Sequence, residues 1–329
     1  MGKHILITGG AGFIGSHLAE QMLAAGHSVT ALDNLSTGAA ANVAHLRQHP
    51  EFSLISGSVL DEALVDSLVG RAGRVFHLAA AVGVRYILEH PVETITTNVD
   101  GTRIVLEAVR KYGVPLLITS TSEVYGKNPK VPLSEDDDSV VGATSLTRWS
   151  YACTKALDEF LALAHVRTQG VKAVIVRLFN TVGPRQVGRY GMVIPRFVSA
   201  ALEGKPLLVH GDGQQSRTFC DVSDAVSALQ KLIEEPRAFG QVFNVGGKDE
   251  ITILELARRV VALTGSKSEI RMIPYDLAFA GTEGFEDMRR RVPDLSKIRG
   301  LTGYEPRHGL DSILARIIAS LKETGTPAP

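Results

Sequence analysis

The chain has 329 residues, of which 44% are hydrophobic and 21% charged, and its 35 basic side chains balance its 35 acidic ones. This composition is typical of an ordinary globular protein, and without a basic excess neither a nucleic acid nor an anionic membrane is expected as a partner. Cys153 and Cys220 are too few for a disulfide framework, so a reducing, cytoplasmic location is expected.

Two further patterns limit the class of protein. The chain enters a strand-like run at once, without the pattern of a signal peptide, and no apolar run is long enough to span a bilayer. Its ten histidines are scattered without the spacing of metal ligands. We therefore expect no membrane segment and no metal site.

The first predicted elements are a strand, a glycine-rich turn and a helix. The apolar run His4–Thr8 leads into Gly9-Gly10-Ala11-Gly12-Phe13-Ile14-Gly15, and an amphipathic segment follows from Ser16 to Ala25. Glycine permits a tight turn and the close approach of a phosphate, while backbone N–H groups and the positive end of the helix face a pyrophosphate. The spacing is GxxGxxG rather than GxGxxG, and it predicts a dinucleotide cradle.

The second predicted strand, Ser28–Asp33, ends in a carboxylate. Asp33 lies roughly 20 residues beyond the turn, where a carboxylate would hold the adenosine ribose hydroxyls of a dinucleotide. The same charge would repel a 2′-phosphate. The pattern therefore favours NAD over NADP as the cofactor.

Apolar runs and helical segments continue to alternate through the first half of the chain. The further strand candidates are Ser53–Ser56, Val75–Leu78, Leu116–Ser120 and Ala173–Leu178, and the clearest helices are Val92–Tyr112 and Tyr151–Thr168. Near-continuous apolar strands separated by helices predict a parallel sheet buried on both faces, a doubly wound α/β fold. Ligands of such a fold bind at the carboxyl ends of the strands.

The pattern changes after Asn180, where glycine and proline become frequent and the elements shorten. We predict elements at Met192–Glu203, Leu207–Val209, Val222–Glu235, Val242–Val245, Ile253–Leu263, Glu269–Ile273 and Leu310–Lys322. The expected organisation is a cofactor domain over residues 1–179 and a smaller α/β substrate lobe over residues 180–329. Part of residues 222–250 is expected to return to the cofactor domain.

Tyr151 and Lys155 lie four residues apart on a predicted helix and therefore share a face. A nearby ammonium, together with a cationic nicotinamide, would lower the pKa of the phenol, which could then take a proton from a sugar hydroxyl as hydride leaves the same carbon. Thr121 and Glu123 follow the strand Leu116–Ser120. Thr121 could hydrogen-bond the reacting oxygen, and Glu123 could act as a base or as a charge stabiliser.

These segments together resemble the extended short-chain dehydrogenases/reductases that act on nucleotide sugars. The matching motifs are Gly9–Gly15, His77-Leu78-Ala79-Ala80, Ser120-Thr121-Ser122-Glu123-Val124-Tyr125-Gly126, Tyr151-Ala152-Cys153-Thr154-Lys155, Arg177-Leu178-Phe179-Asn180, Gly211-Asp212-Gly213 and Arg217-Thr218-Phe219. The resemblance implies a Rossmann fold, NAD as the cofactor, a UDP-linked sugar as the substrate, and a homodimer built from two helices of each subunit. Val92–Tyr112 and Tyr151–Thr168 match those two helices.

The resemblance also implies the residues of the site. Thr121, Glu123, Tyr151 and Lys155 would be catalytic. The expected cofactor contacts are Gly9, Gly12, Phe13, Ile14, Gly15, Asp33, Asn34, Ser58, Val59, Leu78, Ala79, Ala80, Asn98, Tyr151 and Lys155. The expected substrate contacts are Ser122, Asn180, Arg185, Arg217, Arg290 and Arg291. Many relatives carry Asp where this chain has Ser58.

The family shares oxidation of sugar carbon 4 to a ketone, and the residue after Thr121 separates the reactions that follow. Dehydratases use an Asp there to protonate the leaving hydroxyl, whereas this chain has Ser122, a far weaker acid. Thr-Ser-Glu-Val-Tyr-Gly and Arg148-Trp149 resemble the UDP-glucuronate decarboxylases. Decarboxylation of UDP-glucuronate, with Arg217 near the carboxylate or donating a proton, is therefore our first expectation. A UDP-sugar 4-epimerase is the second, a 4,6-dehydratase is less favoured, and a non-catalytic NAD-binding sensor is the alternative outside the enzymes.

Overall fold

A seven-stranded, wholly parallel sheet organises the computed structural model, which describes residues 2–188, 192–278 and 288–324. In chain order its strands are β1 (His4–Thr8), β2 (Ser28–Asp33), β3 (Phe52–Ser56), β4 (Arg74–His77), β5 (Leu116–Thr121), β6 (Ala173–Leu178) and β11 (Val242–Val245). Their spatial order is β11-β6-β5-β4-β1-β2-β3. The order reverses between β1 and β4, where a doubly wound sheet opens its ligand crevice.

Helices cover both faces of this sheet. They are α1 (Phe13–Ala24), α2 (Glu62–Val69), α3 (Val84–Glu89), α4 (Pro91–Tyr112), α5 (Ser150–Gln169) and α7 (Val222–Glu234). One core forms where α1 and α7 meet the sheet around Ile5 and Phe76, and a second forms around Leu6 and Ile118 beneath α4 and α5. Alternate side chains of a strand point to opposite faces, so these apolar strands fill both cores.

Helix α1 begins at Phe13 rather than at Ser16, where the amphipathic pattern placed its start. Gly12 occupies the N-cap position, and the N–H of Ser16 already donates to the carbonyl of Gly12 over 3.0 Å. The glycine-rich motif therefore forms part of the first helical turn. Its apolar residues Phe13 and Ile14 are helical, although they precede the periodic segment.

The C-terminal part of the chain folds into shorter elements. These are β7 (Thr181–Val182), α6 (Val193–Leu202), β8 (Leu207–His210), β9 (Ser216–Thr218), β10 (Cys220–Asp221), β12 (Glu250–Thr252), α8 (Ile253–Thr264), β13 (Ile270–Ile273), α9 (Tyr275–Ala278), β14 (Arg290–Arg291), α10 (Ser296–Thr302) and α11 (Leu310–Thr324). A third core forms between α6, β8, α8 and α11, and Phe197, Leu256 and Leu314 are completely or almost completely buried there. The helix α10 packs against β11 and α7, and its Ile298 belongs to the first core.

The strand β11 leaves this lobe and pairs in parallel with β6, while α7 packs against α1. The intervening chain thus returns to the large sheet before the lobe resumes at β12. None of the helices within the described ranges combines the length and apolar character that a membrane crossing requires.

Candidate active site

A cleft of about 360 Å³ lies at the carboxyl ends of the parallel strands. At one end it is lined by the glycine-rich turn and Asp33, and at the other by residues that follow β5 and β6. The predicted site residues that line it are Gly9, Gly12, Phe13, Ile14, Gly15, Asp33, Asn34, Val59, Leu78, Ala79, Ala80, Thr121, Glu123, Tyr151, Asn180, Arg185 and Arg291.

The glycine-rich turn is built for close backbone contact. Gly9 has φ of 70°, a conformation that side chains other than glycine rarely adopt. A Cβ on Gly15 would lie 2.1 Å from the carbonyl oxygen of Gly9, so the first turn of α1 could not approach the turn as it does. The resulting cradle of backbone atoms at a helix N-terminus has the shape and polarity that a pyrophosphate requires.

Asp33 ends β2 beside this cradle. Its carboxylate accepts hydrogen bonds from the N–H of Ala11 at 2.9 Å and from the N–H of Leu35 at 2.8 Å. Burial raises the pKa of Asp33, and the backbone N–H groups oppose that rise by stabilising the charged form. A carboxylate held at the cleft wall in this way can accept the two hydroxyls of a ribose. The cradle and Asp33 therefore fit a dinucleotide such as NAD.

Three predicted cofactor residues are absent from the cleft lining, namely Ser58, Asn98 and Lys155. The Oδ1 of Asn98 accepts from the N–H of Ala81 at 2.8 Å, and its amide donates to Thr154 at 3.1 Å, so it fixes the loop after β4 from below. The hydroxyl of Ser58 accepts from the N–H of Leu60 at 3.1 Å within its own turn. Neither side chain belongs to the cleft lining.

Thr121 and Tyr151 both line the cleft beyond the cofactor end. Thr121 is the last residue of β5, and its Oγ1 accepts from the N–H of Glu123 at 3.2 Å. That contact uses an acceptor lone pair and leaves the hydroxyl proton for donation into the cleft. Tyr151 stands in the first turn of α5 and is 7% exposed.

The immediate surroundings of Lys155 differ from the expectation. Its ammonium lies 2.9 Å from the Oδ2 of Asp158, and both side chains are buried. Burial raises the pKa of Tyr151, and the carboxylates of Glu123 and Asp158 add to that rise. The protein groups by themselves therefore do not lower the pKa of the Tyr151 phenol, contrary to the expectation. The main reason is burial of the phenol, followed by the charges of Glu123 and of Asp158, whose pairing with Lys155 the sequence reasoning did not consider.

A cluster of guanidinium groups surrounds Glu123, whose side chain is 15% exposed. Its Oε2 accepts from Arg148 at 2.6 Å, and its Oε1 lies 3.9 Å from Arg291. Burial works to raise the pKa of Glu123, but the charges of Arg148, Arg291 and Arg217 outweigh it and hold that pKa below its usual value. Glu123 is therefore an ionised carboxylate near neutral pH and a poor base.

The two arginines of β14 have separate surroundings. Arg291 is buried, and its guanidinium lies 3.5 Å from both the Ser122 hydroxyl and the Asn180 Oδ1. Arg290 is exposed and pairs with Glu250 at 2.7 Å, away from the cleft. Successive residues of a strand point to opposite faces, so one of the pair faces inward and the other outward.

The remaining expected substrate contacts occupy different places. Arg185 lines the cleft beside α1, where it donates to Ser16 at 3.1 Å and pairs with Glu20. Arg185 therefore lies beside the first turns of α1, directly after the glycine-rich turn. Arg217 is buried behind the cleft lining, and its guanidinium donates to the Ser216 carbonyl at 2.7 Å.

Several lining residues escaped the sequence reasoning. Asn42 donates to the carbonyl of Ala11 at 2.9 Å and supports the glycine-rich turn from a 3₁₀ segment. Gln186, Val187 and Met192 line the cleft after β7. In the sequence analysis Arg148 was considered only within the Arg148-Trp149 motif. An arginine three residues before Tyr151 could have been recognised as a partner for Glu123. Within the part of the chain that the structure describes, no three His, Cys, Asp or Glu side chains are grouped as a metal ion would need.

Comparison with known proteins places this site in a family. Residues 5–246 match the profile of the NAD dependent epimerase/dehydratase family. The chain is 43% identical over 98% of its length to a UDP-N-acetyl-alpha-D-glucosaminuronate decarboxylase of Bacillus cytotoxicus, of which the match covers 99%. It is 36% identical over 96% of its length to UDP-glucuronic acid decarboxylase 1 of Danio rerio, covering 72% of that protein.

A solved structure gives the same assignment for the fold. The NAD-bound dTDP-glucose 4,6-dehydratase DesIV of Streptomyces venezuelae superposes with a TM-score of 0.88 at 28% identity, covering 97% of each chain. The Rossmann fold, the NAD cofactor and the enzyme class expected from the sequence are confirmed. The chain is a member of the NAD-dependent epimerase/dehydratase family of nucleotide-sugar-modifying enzymes.

Proposed function

We propose that this enzyme decarboxylates a UDP-linked uronate through a 4-keto intermediate. The observation that carries the proposal is the guanidinium cluster formed by Arg148, Arg217 and Arg291 around Glu123, next to Thr121 and Tyr151. Of these, Arg291 lines the cleft together with Thr121 and Tyr151, and the planar guanidinium group matches a carboxylate with two donors, which suits a substrate that brings its own carboxylate. Both relatives described above are named as decarboxylases of UDP-linked uronates.

The chemistry needs a ketone β to the departing carboxylate. NAD, which the Gly9–Gly15 turn and Asp33 would hold, would accept the hydride of carbon 4 and later return it. Tyr151 takes the proton of the carbon 4 hydroxyl, and Lys155 holds the cofactor beside it. The bond between carbons 5 and 6 then breaks, carbon dioxide leaves, and the electron pair passes to the carbon 4 oxygen as an enolate. The Tyr151 phenol and the Thr121 hydroxyl stabilise that oxyanion. A proton from solvent enters at carbon 5 before the hydride returns.

The serine after Thr121 supports decarboxylation over dehydration. Ser122 is completely buried, and its hydroxyl faces Arg291 at 3.5 Å. A hydroxyl is a far weaker acid than a carboxyl group, so it would not protonate a leaving hydroxyl at carbon 6. We assign Arg291, which lines the cleft, rather than Arg217 to the substrate carboxylate or diphosphate, and Arg185 to the cofactor pyrophosphate.

The test compares two uronates and two neutral sugars. The purified enzyme is incubated with UDP-glucuronate, UDP-N-acetylglucosaminuronate, UDP-glucose and UDP-galactose, and the nucleotide products are analysed by mass. We expect loss of carbon dioxide from at least one uronate and no change of the neutral sugars. Because the 43% relative is named for the acetamido sugar, we expect UDP-N-acetylglucosaminuronate to react faster. Interconversion of the neutral carbon 4 epimers without release of carbon dioxide would replace this proposal with a 4-epimerase.

We further propose that two copies of the chain form a homodimer through α4 and α5. These helices pack together, and they expose Val92 at 76%, Ile95 at 45%, Leu157 at 50% and Phe160 at 72%. A face that joins exposed apolar residues of two adjacent helices can pair with its copy about a twofold axis. Sedimentation should show a dimer for the wild type and a monomer for Phe160→Glu, whereas a monomeric wild type at micromolar concentration would contradict the proposal.

We propose that residues 1–179 hold NAD and residues 180–329 hold the nucleotide sugar, with β11 and α7 returning to the first part. The pairing of β11 with β6 supports this division.

We also propose a reducing, cytoplasmic location. The free thiols Cys153 and Cys220 support it, and fractionation of the native cells would test it.

A further inference from the structure

A line of buried polar side chains connects the cofactor end of the cleft with Lys155. Thr8 at the end of β1 contacts His77 of β4 at 2.8 Å, and His77 contacts Thr102 of α4 at 3.1 Å. Burial raises the pKa of Asp158, while the Lys155 ammonium at 2.9 Å and the Thr102 hydroxyl oppose that rise. All five side chains are at most 2% exposed.

The His77 ring joins two hydroxyl groups. Its Nδ1 lies 2.8 Å from Thr8 and its Nε2 lies 3.1 Å from Thr102, and the Oγ1 of Thr8 also accepts from the N–H of Ala79 at 3.2 Å. A neutral imidazole donates from one nitrogen and accepts at the other, so His77 satisfies both hydroxyls in either tautomer. Burial lowers the pKa of His77 to about 3, in keeping with a neutral ring that donates on one side only.

We propose that Asp158 is a positioning residue that fixes the Lys155 ammonium on α5, one helical turn after Tyr151. The inference rests on the proposed function, which gives Lys155 its role beside the cofactor and Tyr151. A buried ion pair seldom contributes more stability than apolar residues of the same volume, whereas it does fix the geometry of its members. Asp158 is completely buried, and its position three residues after Lys155 places both on one face of α5.

The charges around the phenol determine the expected sign of the effect. The charged groups that act on Tyr151 are Asp158 on α5, Glu123 in the segment after β5 and Arg148 in the segment before α5. Lys155 pairs with Asp158, and its other titratable neighbour, His77 on β4, is neutral. Removing the Asp158 charge therefore removes one of the two carboxylates that raise the pKa of the phenol, which favours phenolate.

The experiment titrates the phenol directly. Tyrosinate absorbance is recorded against pH for the holoenzyme, and the same titration of Tyr151→Phe is subtracted to isolate Tyr151. We expect Asp158→Asn to lower the Tyr151 pKa by about one unit relative to the wild type. Glu159→Gln is the matched control, because the adjacent Glu159 is also a buried carboxylate of α5 but pairs with Arg177 at 2.7 Å. It should leave the titration unchanged.

A second readout follows the position of Lys155. Asp158→Asn should weaken NAD binding roughly tenfold, because a freed lysine must be ordered again when the cofactor binds. Thr102→Val keeps every charge but removes the hydroxyl behind Asp158, so it should weaken NAD binding by about threefold. If Asp158→Asn and Glu159→Gln have the same Tyr151 titration and the same NAD affinity, the proposal is wrong. If Asp158→Asn does not fold, the proposal is overturned by a Thr102→Val protein that binds NAD like the wild type. Neither measurement uses a nucleotide sugar. A negative result in the decarboxylase assay therefore does not affect this test of Asp158.

Discussion

The two ends of the cleft are built in contrasting ways. The cofactor end consists of backbone atoms from one short stretch, Gly9–Gly15, together with the single carboxylate of Asp33 at the end of the neighbouring strand. The sugar end consists of charged side chains from distant parts of the chain, and Ser122 and Arg291, which face each other there, lie 169 residues apart. Backbone geometry can serve any dinucleotide, whereas a set of placed charges selects one kind of substrate.

The comparison also separates the two kinds of energy in the site. At the cofactor end a misplaced atom costs steric repulsion, because a Cβ on Gly15 would have no space. At the sugar end the loss of a charged group is expected to destabilise the ionised form of Glu123. This largely buried carboxylate stays ionised because of Arg148, Arg217 and Arg291. Substitutions at the two ends should therefore have distinguishable consequences.

The largest effect is expected where the two ends meet, at Tyr151. Tyr151→Phe removes the group that exchanges a proton with the sugar hydroxyl, so kcat should fall about a thousandfold. Bound NAD should remain, because the Gly9–Gly15 cradle is intact. Product formation and NAD content are measured on the same preparation, and a kcat within tenfold of the wild type would contradict the proposed role.

Gly15→Ala tests the cofactor end by itself. The added methyl group must displace α1 from the carbonyl of Gly9, so NAD affinity should fall about a hundredfold. Gly300→Ala in α10 is the control, since a Cβ there meets no atom within 4 Å. Calorimetric titration with NAD checks both variants. Equal affinities would show that the cradle tolerates a side chain.

Arg291→Met tests the sugar end, and its neighbour in β14 provides the control. Arg291 faces the cleft, so its loss should lower kcat/KM for the uronate by roughly thirtyfold with little change in NAD affinity. Arg290→Met should leave kcat/KM within about threefold of the wild type, because Arg290 pairs with Glu250 at the surface. Steady-state kinetics with the preferred uronate measure kcat/KM for both variants. An equal fall of kcat/KM in Arg291→Met and Arg290→Met would refute the assignment of Arg291 to the substrate.

The last prediction concerns the pH dependence of stability and not the activity of the site. In the wild type the Glu123 pKa is lowered, so its contribution to stability is present above the ordinary carboxyl pKa and is lost as the pH falls through the lowered value. In Arg148→Met burial should dominate and raise that pKa, which makes the ionised carboxylate destabilising. The difference in unfolding free energy should grow with pH and reach about 3 kcal/mol near pH 7.

Urea unfolding over a range of pH measures that difference. Arg259→Met removes a partner of Asp311 from an exposed pair and should show no such growth with pH. A constant difference between wild type and Arg148→Met would mean that Glu123 is not governed by Arg148.

Much of the sheet was predictable because its strands are continuous apolar runs bounded by turn residues. The predicted bounds of β1, β2, β6 and β11 agree with the structure. The strands β9, β12 and β14 were not predicted, since each has two or three residues that are held by pairing with distant chain rather than by a local pattern. The start of α1 was placed late because its first turn carries glycine instead of periodic apolar residues.

The sequence by itself determined the doubly wound sheet, the NAD cofactor and the placement of Tyr151 and Lys155 one turn apart on α5, because each follows from residues close together in the chain. The tertiary structure decided which arginine of β14 enters the cleft, that Glu123 stays ionised among three guanidinium groups, and that Asp158 holds Lys155. The physical reason is that burial and charge pairing depend on neighbours in space, and these neighbours come from elements that only the folded sheet and its C-terminal lobe bring together.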